Sequence, residues 1–245
     1  MKKAQLLLII LFLNSCSNIN ELNSARSNPG QVNNLNVSSS GLEEFPVEIC
    51  EMVNLKDLNL FRNKITSVPG CIGKLVQLEK LSIQSNNLEG IPDEIGNLKR
   101  ITKLNLRFNN LKRLPESLSQ MTSLEELDLR NNLLEELPEN IGNLSKLEYL
   151  YLSDNHLRKL PESLGNLKNL RVLYLSANHL ESAPPEFLGD LESLIELDLS
   201  NCGEDNHLPA SLGKLRRLEI LYVSSYQVIP YDVGRGNSRL KVIVK

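Results

Sequence analysis

The sequence predicts an α/β solenoid, in which short parallel strands stack along a curved concave sheet and short helical or 3-10 turns form the convex side. Three observations carry this. Leucine supplies about a fifth of the 245 residues, while aromatics make up 4% and Trp is absent, so one apolar residue type is being used over and over. Equivalent aliphatic residues recur at Val32, Leu55, Leu78, Ile101, Leu124 and Leu147, each 23 residues after the last, a period that belongs to stacked-repeat architectures. Within each block the stretch L-x-x-L-x-L alternates with period two, as a strand buried on one face does.

The blocks follow in order. Two of 24 residues begin at Leu170 and Leu194, one of 22 begins at Leu218, and a half-block runs from Leu240 to Lys245. The block at Leu124, LEELDLRNNLLEELPENIGNLSK, shows the full pattern L-x-x-L-x-L-x-x-N-x-L-x-x-L-P-x-x-I-G-x-L. It resembles the leucine-rich repeat family, and the resemblance covers residues 32–245 as about nine repeats plus a terminal strand. Leu127 and Leu129 are expected to point inward, and Ile141 and Leu144 to close the core from behind. Asn63, Asn86, Asn109, Asn132, Asn155 and Asn178 form a column at the turn leaving each strand. There a side-chain amide can pair backbone groups that burial would otherwise orphan. The prolines at 46, 69, 92, 115, 138, 161 and 184 preset φ where the outer turn begins. The ends deviate as caps should: Ser40 and Tyr226 replace the ladder asparagine, Phe45 enters the core, and Lys241 and Lys245 charge the terminal strand.

Ahead of the repeats, Lys2 and Lys3 precede an uncharged apolar run from Ala4 to Leu13. That run is too short to span a bilayer and fits a signal-peptide core. The following Leu13-Asn14-Ser15-Cys16 resembles the lipobox of bacterial lipoproteins, which implies removal of residues 1–15 and lipidation of Cys16. Asn14 departs from the usual residue at its position. Residues 16–31 are polar and read as a flexible tether, leaving 32–245 as the repeat domain. The expected location is the bacterial outer membrane or cell surface, with a secreted or periplasmic protein as the alternative.

The formal net charge is −3 and basic residues form no block, so no nucleic-acid footprint exists. No catalytic motif is present, and an enzyme is not expected. The strongest candidate for function is the concave face, whose outward side chains are free of core constraints. Its amino half is polar and mixed in charge, with Arg107 and Arg130 nearby. Its carboxyl half carries Tyr149, Tyr151, Val172, Tyr174, Glu196, Asp198, Ile220 and Tyr222, beside a ledge of Ser153, Ser176, Ser200 and Ser224. Tyrosine is favoured in binding hot spots, although Tyr, Val and Ile also simply suit strands. The expected ligand is a protein, and the role that the resemblance implies is adhesion or host interaction. A glycan, or a periplasm-facing scaffold with no extracellular ligand, is the alternative.

No cofactor is expected, with one secondary exception. His156 and His179 share the column after the ladder asparagines, and Asp205 and His207 follow on the same rim, a set that suits a divalent metal such as zinc. The plainer reading is a solvated ridge copied with the repeat. Among the cysteines, Cys202 stands in the ladder column as a buried thiol. Cys50 and Cys71 lie on the convex side of adjacent repeats at offsets 18 and 16. Export permits a disulfide, while the two-position stagger weighs against one, because a bridge tolerates only ~7 Å between Cα atoms.

Overall fold

Period-two leucines define ten strands in a computed structural model that describes residues 19–245 except Asn206. The expected signal segment 1–15 and Cys16 lie outside the described residues. The strands are β1 (Asn34–Asn36), β2 (Asp57–Asn59), β3 (Lys80–Ser82), β4 (Lys103–Asn105), β5 (Glu126–Asp128), β6 (Tyr149–Tyr151), β7 (Val172–Tyr174), β8 (Glu196–Asp198), β9 (Ile220–Val223) and β10 (Lys241–Val244). They form one parallel sheet in sequence order, so every strand pairs only with its neighbours in the chain. Register is kept by the repeat itself: Leu127 pairs with Leu150, and Leu150 with Leu173. Those leucines, with Leu129, Leu152 and Leu175 behind them, are fully buried. Ile141 and Leu144 close the core from the convex side as expected.

Short 3-10 turns face the leucines across this core. Pro46, Pro69, Pro92, Pro115 and Pro161 each precede such a turn, at φ between −67° and −75°. In the seventh repeat this position falls to Pro185 and not Pro184, and in the fifth the turn shortens to Ile141–Asn143.

The ladder is built as the spacing predicts. Asn132 Nδ2 donates to the carbonyls of Leu106 (3.0 Å) and Leu129 (2.9 Å), and its Oδ1 accepts from Leu111 N (3.1 Å). Directly before each ladder residue the backbone turns left-handed, at Arg62, Ser85, Phe108, Asn131, Asp154, Ala177 and Asn201. The conformation is costly for non-glycine residues, and in the first six of these turns the buried amide that follows holds it in place. In the ninth repeat Gln227, not Tyr226, does this work: its Nε2 donates to Leu199 O at 3.1 Å and its Oε1 accepts from Ser224 N at 2.8 Å. The longer glutamine reaches the same carbonyl row from one position later, which turns Tyr226 outward.

Two expectations are corrected at the amino end. Residues 19–27 form a helix that stops before Pro29 and packs Leu22 and Ala25 into the core, so the polar segment 16–31 is not a flexible tether throughout. Leu22 and Ala25 stand three apart on one helical face, and burying them repays the ordering. The helix also covers the open edge of β1, where Glu21 Oε1 accepts from Asn36 N at 3.1 Å, and Arg26 pairs with Glu48. Burial opposes ionisation of Glu48, but its backbone hydrogen bond and the Arg26 guanidinium outweigh that and hold the carboxyl below its ordinary range.

Cys50 and Cys71 are joined in a disulfide with Cα atoms 5.8 Å apart. Both sit in 3-10 turns, Val47–Glu51 and Gly70–Lys74. Two positions there advance the chain by only ~4 Å, much less than in a strand, so the stagger is absorbed. Cys202 is a buried free thiol, with burial pushing its pKa up to about 11.

Candidate recognition surface

The side chains between the inward leucines alternate onto the opposite face of β4 to β9. In the carboxyl half they form a chain of touching groups. Arg130 donates to both carboxylate oxygens of Asp128, at 2.9 and 2.6 Å, and its guanidinium lies 4.6 Å from the centre of the Tyr151 ring. Tyr151 meets Tyr174 edge to face at 5.4 Å, and Tyr174 meets Tyr222 at 6.3 Å. Lys245 Nζ completes the row, 4.0 Å from the Tyr222 ring centre. Tyr149, Val172 and Ile220 stand half-buried in the adjoining column, and Arg107 lies 4.4 Å from the ring centre of exposed Phe108.

Each ring is therefore held in place before anything binds. The Tyr174 hydroxyl donates to Glu196 Oε1 at 2.6 Å. Burial, and then that bond to a carboxylate, push its pKa well above the ordinary tyrosine range. Burial likewise raises the pKa of Tyr151, and the bond to Asp128 raises that of Arg130. At neutral pH the surface presents neutral phenols between a fixed guanidinium and a fixed ammonium.

Asp198 does not belong to the reachable surface. It is 2% exposed and accepts from Ser200 N (3.0 Å), Ser200 Oγ (2.6 Å) and Lys245 Nζ (2.7 Å). A carboxylate so engaged ties the last residue to β8 and has no capacity left for a partner. The serine ledge is similarly occupied, with Ser176 Oγ donating to Ser153 Oγ at 2.8 Å and Ser224 Oγ to Asn201 Oδ1 at 3.0 Å. Lys245 is the residue that sequence reasoning assigned to edge protection only. Its signal was present, because the β9–β10 register continues one step to set Lys245 beside Ser224.

The expected metal set is divided. His156 and His179 stack with ring centres 5.3 Å apart, but His207 turns to Asp205, Nδ1 to Oδ1 at 3.0 Å. Among the described residues, no three His, Cys, Asp or Glu side chains converge on one point that could hold an ion. The eighth repeat carries Asp205 and His207 in a loop of its own geometry, which the shared column does not reveal.

A family profile described as a leucine-rich repeat region matches residues 34–132 and 127–228. The chain belongs to the leucine-rich repeat family. Among solved structures, this leucine-rich repeat protein is similar to the ectodomain of the plant membrane receptor kinase GASSHO1/SCHENGEN3 from Arabidopsis thaliana, solved in complex with CASPARIAN STRIP INTEGRITY FACTOR 2. Identity is 33%, the TM-score is 0.71, and the match covers 78% of this chain and 24% of that one. The repeat protein thus spans about a quarter of that ectodomain's length. It is also similar to PEPR1 in the PEPR1-AtPEP1 structure, at 27% identity and TM-score 0.69, covering 86% of this chain and 35% of that one. An internalin from Listeria monocytogenes matches at 22% identity and TM-score 0.71 over 89% of this chain and 68% of its own, and shares the fold. No curated protein matches.

Proposed function

We propose that this protein is an exported recognition module that binds a polypeptide partner across the carboxyl half of its concave face. The observation that carries the reading is the pre-set row from Arg130 through Tyr151, Tyr174 and Tyr222 to Lys245. Rings fixed in advance lose little freedom on binding, and tyrosine and arginine supply contact area with polar ends. The receptor ectodomain similar at 33% identity was solved with a bound factor, which supports a polypeptide as the ligand class. The Cys50–Cys71 bridge supports export, because structural disulfides persist in oxidising compartments. Among the described residues, no helix is long and apolar enough to cross a membrane. Attachment is assigned to lipidated Cys16, at the bacterial cell surface, where adhesion or a host protein would provide the partner.

The test is crosslinking on intact cells followed by mass spectrometry of captured partners, repeated with Tyr151→Ala/Tyr174→Ala and with Lys80→Ala/Lys103→Ala. The tyrosine double variant is expected to lose capture while still unfolding cooperatively, at a cost of about 2 kcal/mol for its two lost ring contacts. The lysine pair, in the amino half, is expected to keep capture. Equal capture by all three proteins would remove the carboxyl-half patch from consideration, and a glycan captured in place of a protein would change the ligand class.

A further inference from the structure

A second concavity lies on the rim where the chain leaves the sheet, separate from the tyrosine row. It originates in one substitution. In the first six ladder turns after Ser40 the side-chain amide accepts from a backbone N–H of the preceding repeat, as Asn178 Oδ1 does from Leu157 N at 3.0 Å. Cys202 has no amide, so Leu180 N donates instead to the Cys202 main-chain carbonyl at 2.9 Å. This draws residue 203 against residue 180 in a β-bridge. Only glycine fits there, since a Cβ on Gly203 would stand 2.5 Å from Leu180 O. Gly203 occupies the column that holds His156 and His179 in the two preceding repeats, so their row ends in an unfilled slot. From the next repeat, the outward-turned Tyr226 reaches back to donate to Gly203 O at 3.3 Å.

The result is a cleft of about 850 Å³ with imidazoles on one side, a phenol ring on the other, and the carboxylates of Asp154, Glu181 and Glu204 around its mouth. No Lys or Arg lines it. Arg158 stands outside, 3.5 Å from Glu181 across the lip. Glu204 has no partner among the described residues.

We propose that this cleft receives an arginine- or lysine-bearing segment of the polypeptide partner, with the cation between the Tyr226 face and the carboxylates. An anion finds no opposite charge in the lining. A metal ion finds no converging set of three ligands among the described residues. A neutral saccharide would strip water from three carboxylates without supplying charge in return, whereas a cation restores both and gains the ring face. The source of the cation rests on the polypeptide-recognition reading above; the chemistry of the cleft does not.

Titration of the folded protein with acetyl-Gly-Arg-Gly-amide, followed by NMR of the His156, His179 and Tyr226 ring signals, tests this. The expected result is saturable shifts that weaken as salt is raised. Affinity should fall roughly two- to fivefold with either Glu181→Gln or Glu204→Gln, and by a similar factor with Tyr226→Leu. Tyr151→Ala/Tyr174→Ala, on the other face, should leave the titration unchanged, so failure of the concave-face reading and failure of this one are separable. The proposal is overturned if the arginine peptide gives no saturable shift, if acetyl-Gly-Glu-Gly-amide gives the same shift, or if tri-N-acetylglucosamine alone shifts these rings.

Discussion

Asn132 and its column mates each satisfy three or more buried backbone groups with one small side chain. Removing that amide strands the Leu111 N–H where water cannot follow, at roughly 1–3 kcal/mol, and takes one of two partners from each of the Leu106 and Leu129 carbonyls, which keep Asn109 and Asn155, at about 1 kcal/mol per bond lost. Asn132→Ala is therefore expected to destabilise the protein by about 3–5 kcal/mol in equilibrium denaturant unfolding; a change below ~1 kcal/mol would show that the ladder is dispensable. This column was legible in the sequence because its period is strict. What escaped was anything depending on reach and not on register. Gln227 replaces a ladder asparagine from one position along. Asp198 stands in an outward column but is buried by Lys245, a partner 47 residues away in the chain. Of the predicted surface residues, the tyrosines and Arg130 were legible because they alternate with core leucines. Their mutual locking was not, since ring contacts follow from rotamers that no spacing encodes.

At the scale of elements, strands and 3-10 turns follow directly from repeated local pattern. The helix at 19–27 has only Ile19, Leu22 and Ala25, spaced three apart, to announce it in a segment otherwise polar. The Cys50–Cys71 bridge is hidden in the sequence because a two-position offset has no fixed span: about 4 Å in a 3-10 turn but about 7 Å in a strand. That bridge spans a separation of 21 residues, and closing such a loop in the unfolded chain is worth about 3 kcal/mol. Cys50→Ser/Cys71→Ser should lower stability by about that amount, and reduction of the wild-type protein by the same amount, both read from thermal or denaturant midpoints. Because the bridged turns lie far from β6 to β9, ligand affinity should not move with either treatment.

Across the whole molecule, each repeat packs on its neighbours, with the Lys245–Asp198 pair reaching one strand further, so local stability is set by position in the stack. The two ends are finished differently. The amino edge is covered by a helix, bonded to β1 and stapled one repeat further in. The carboxyl edge is β10, whose Val242, Ile243 and Val244 are all exposed and which is held by its ladder to β9 and by the Lys245–Asp198 pair. Hydrogen exchange should consequently be polarised: amides of β10 and β9 exchanging first, those of β2 to β5 last. Uniform protection along the stack would contradict this.

The exposed β10 edge bears on more than stability. The row of rings ends on Lys245, at the end of the stack from which unfolding begins. A ligand seated across β6 to β9 therefore acts as a stopper on the advancing front, and the terminal repeats cannot peel away until it departs. Occupancy and melting temperature become two readings of one equilibrium, which makes heat resistance in crude mixtures a direct way to find the partner.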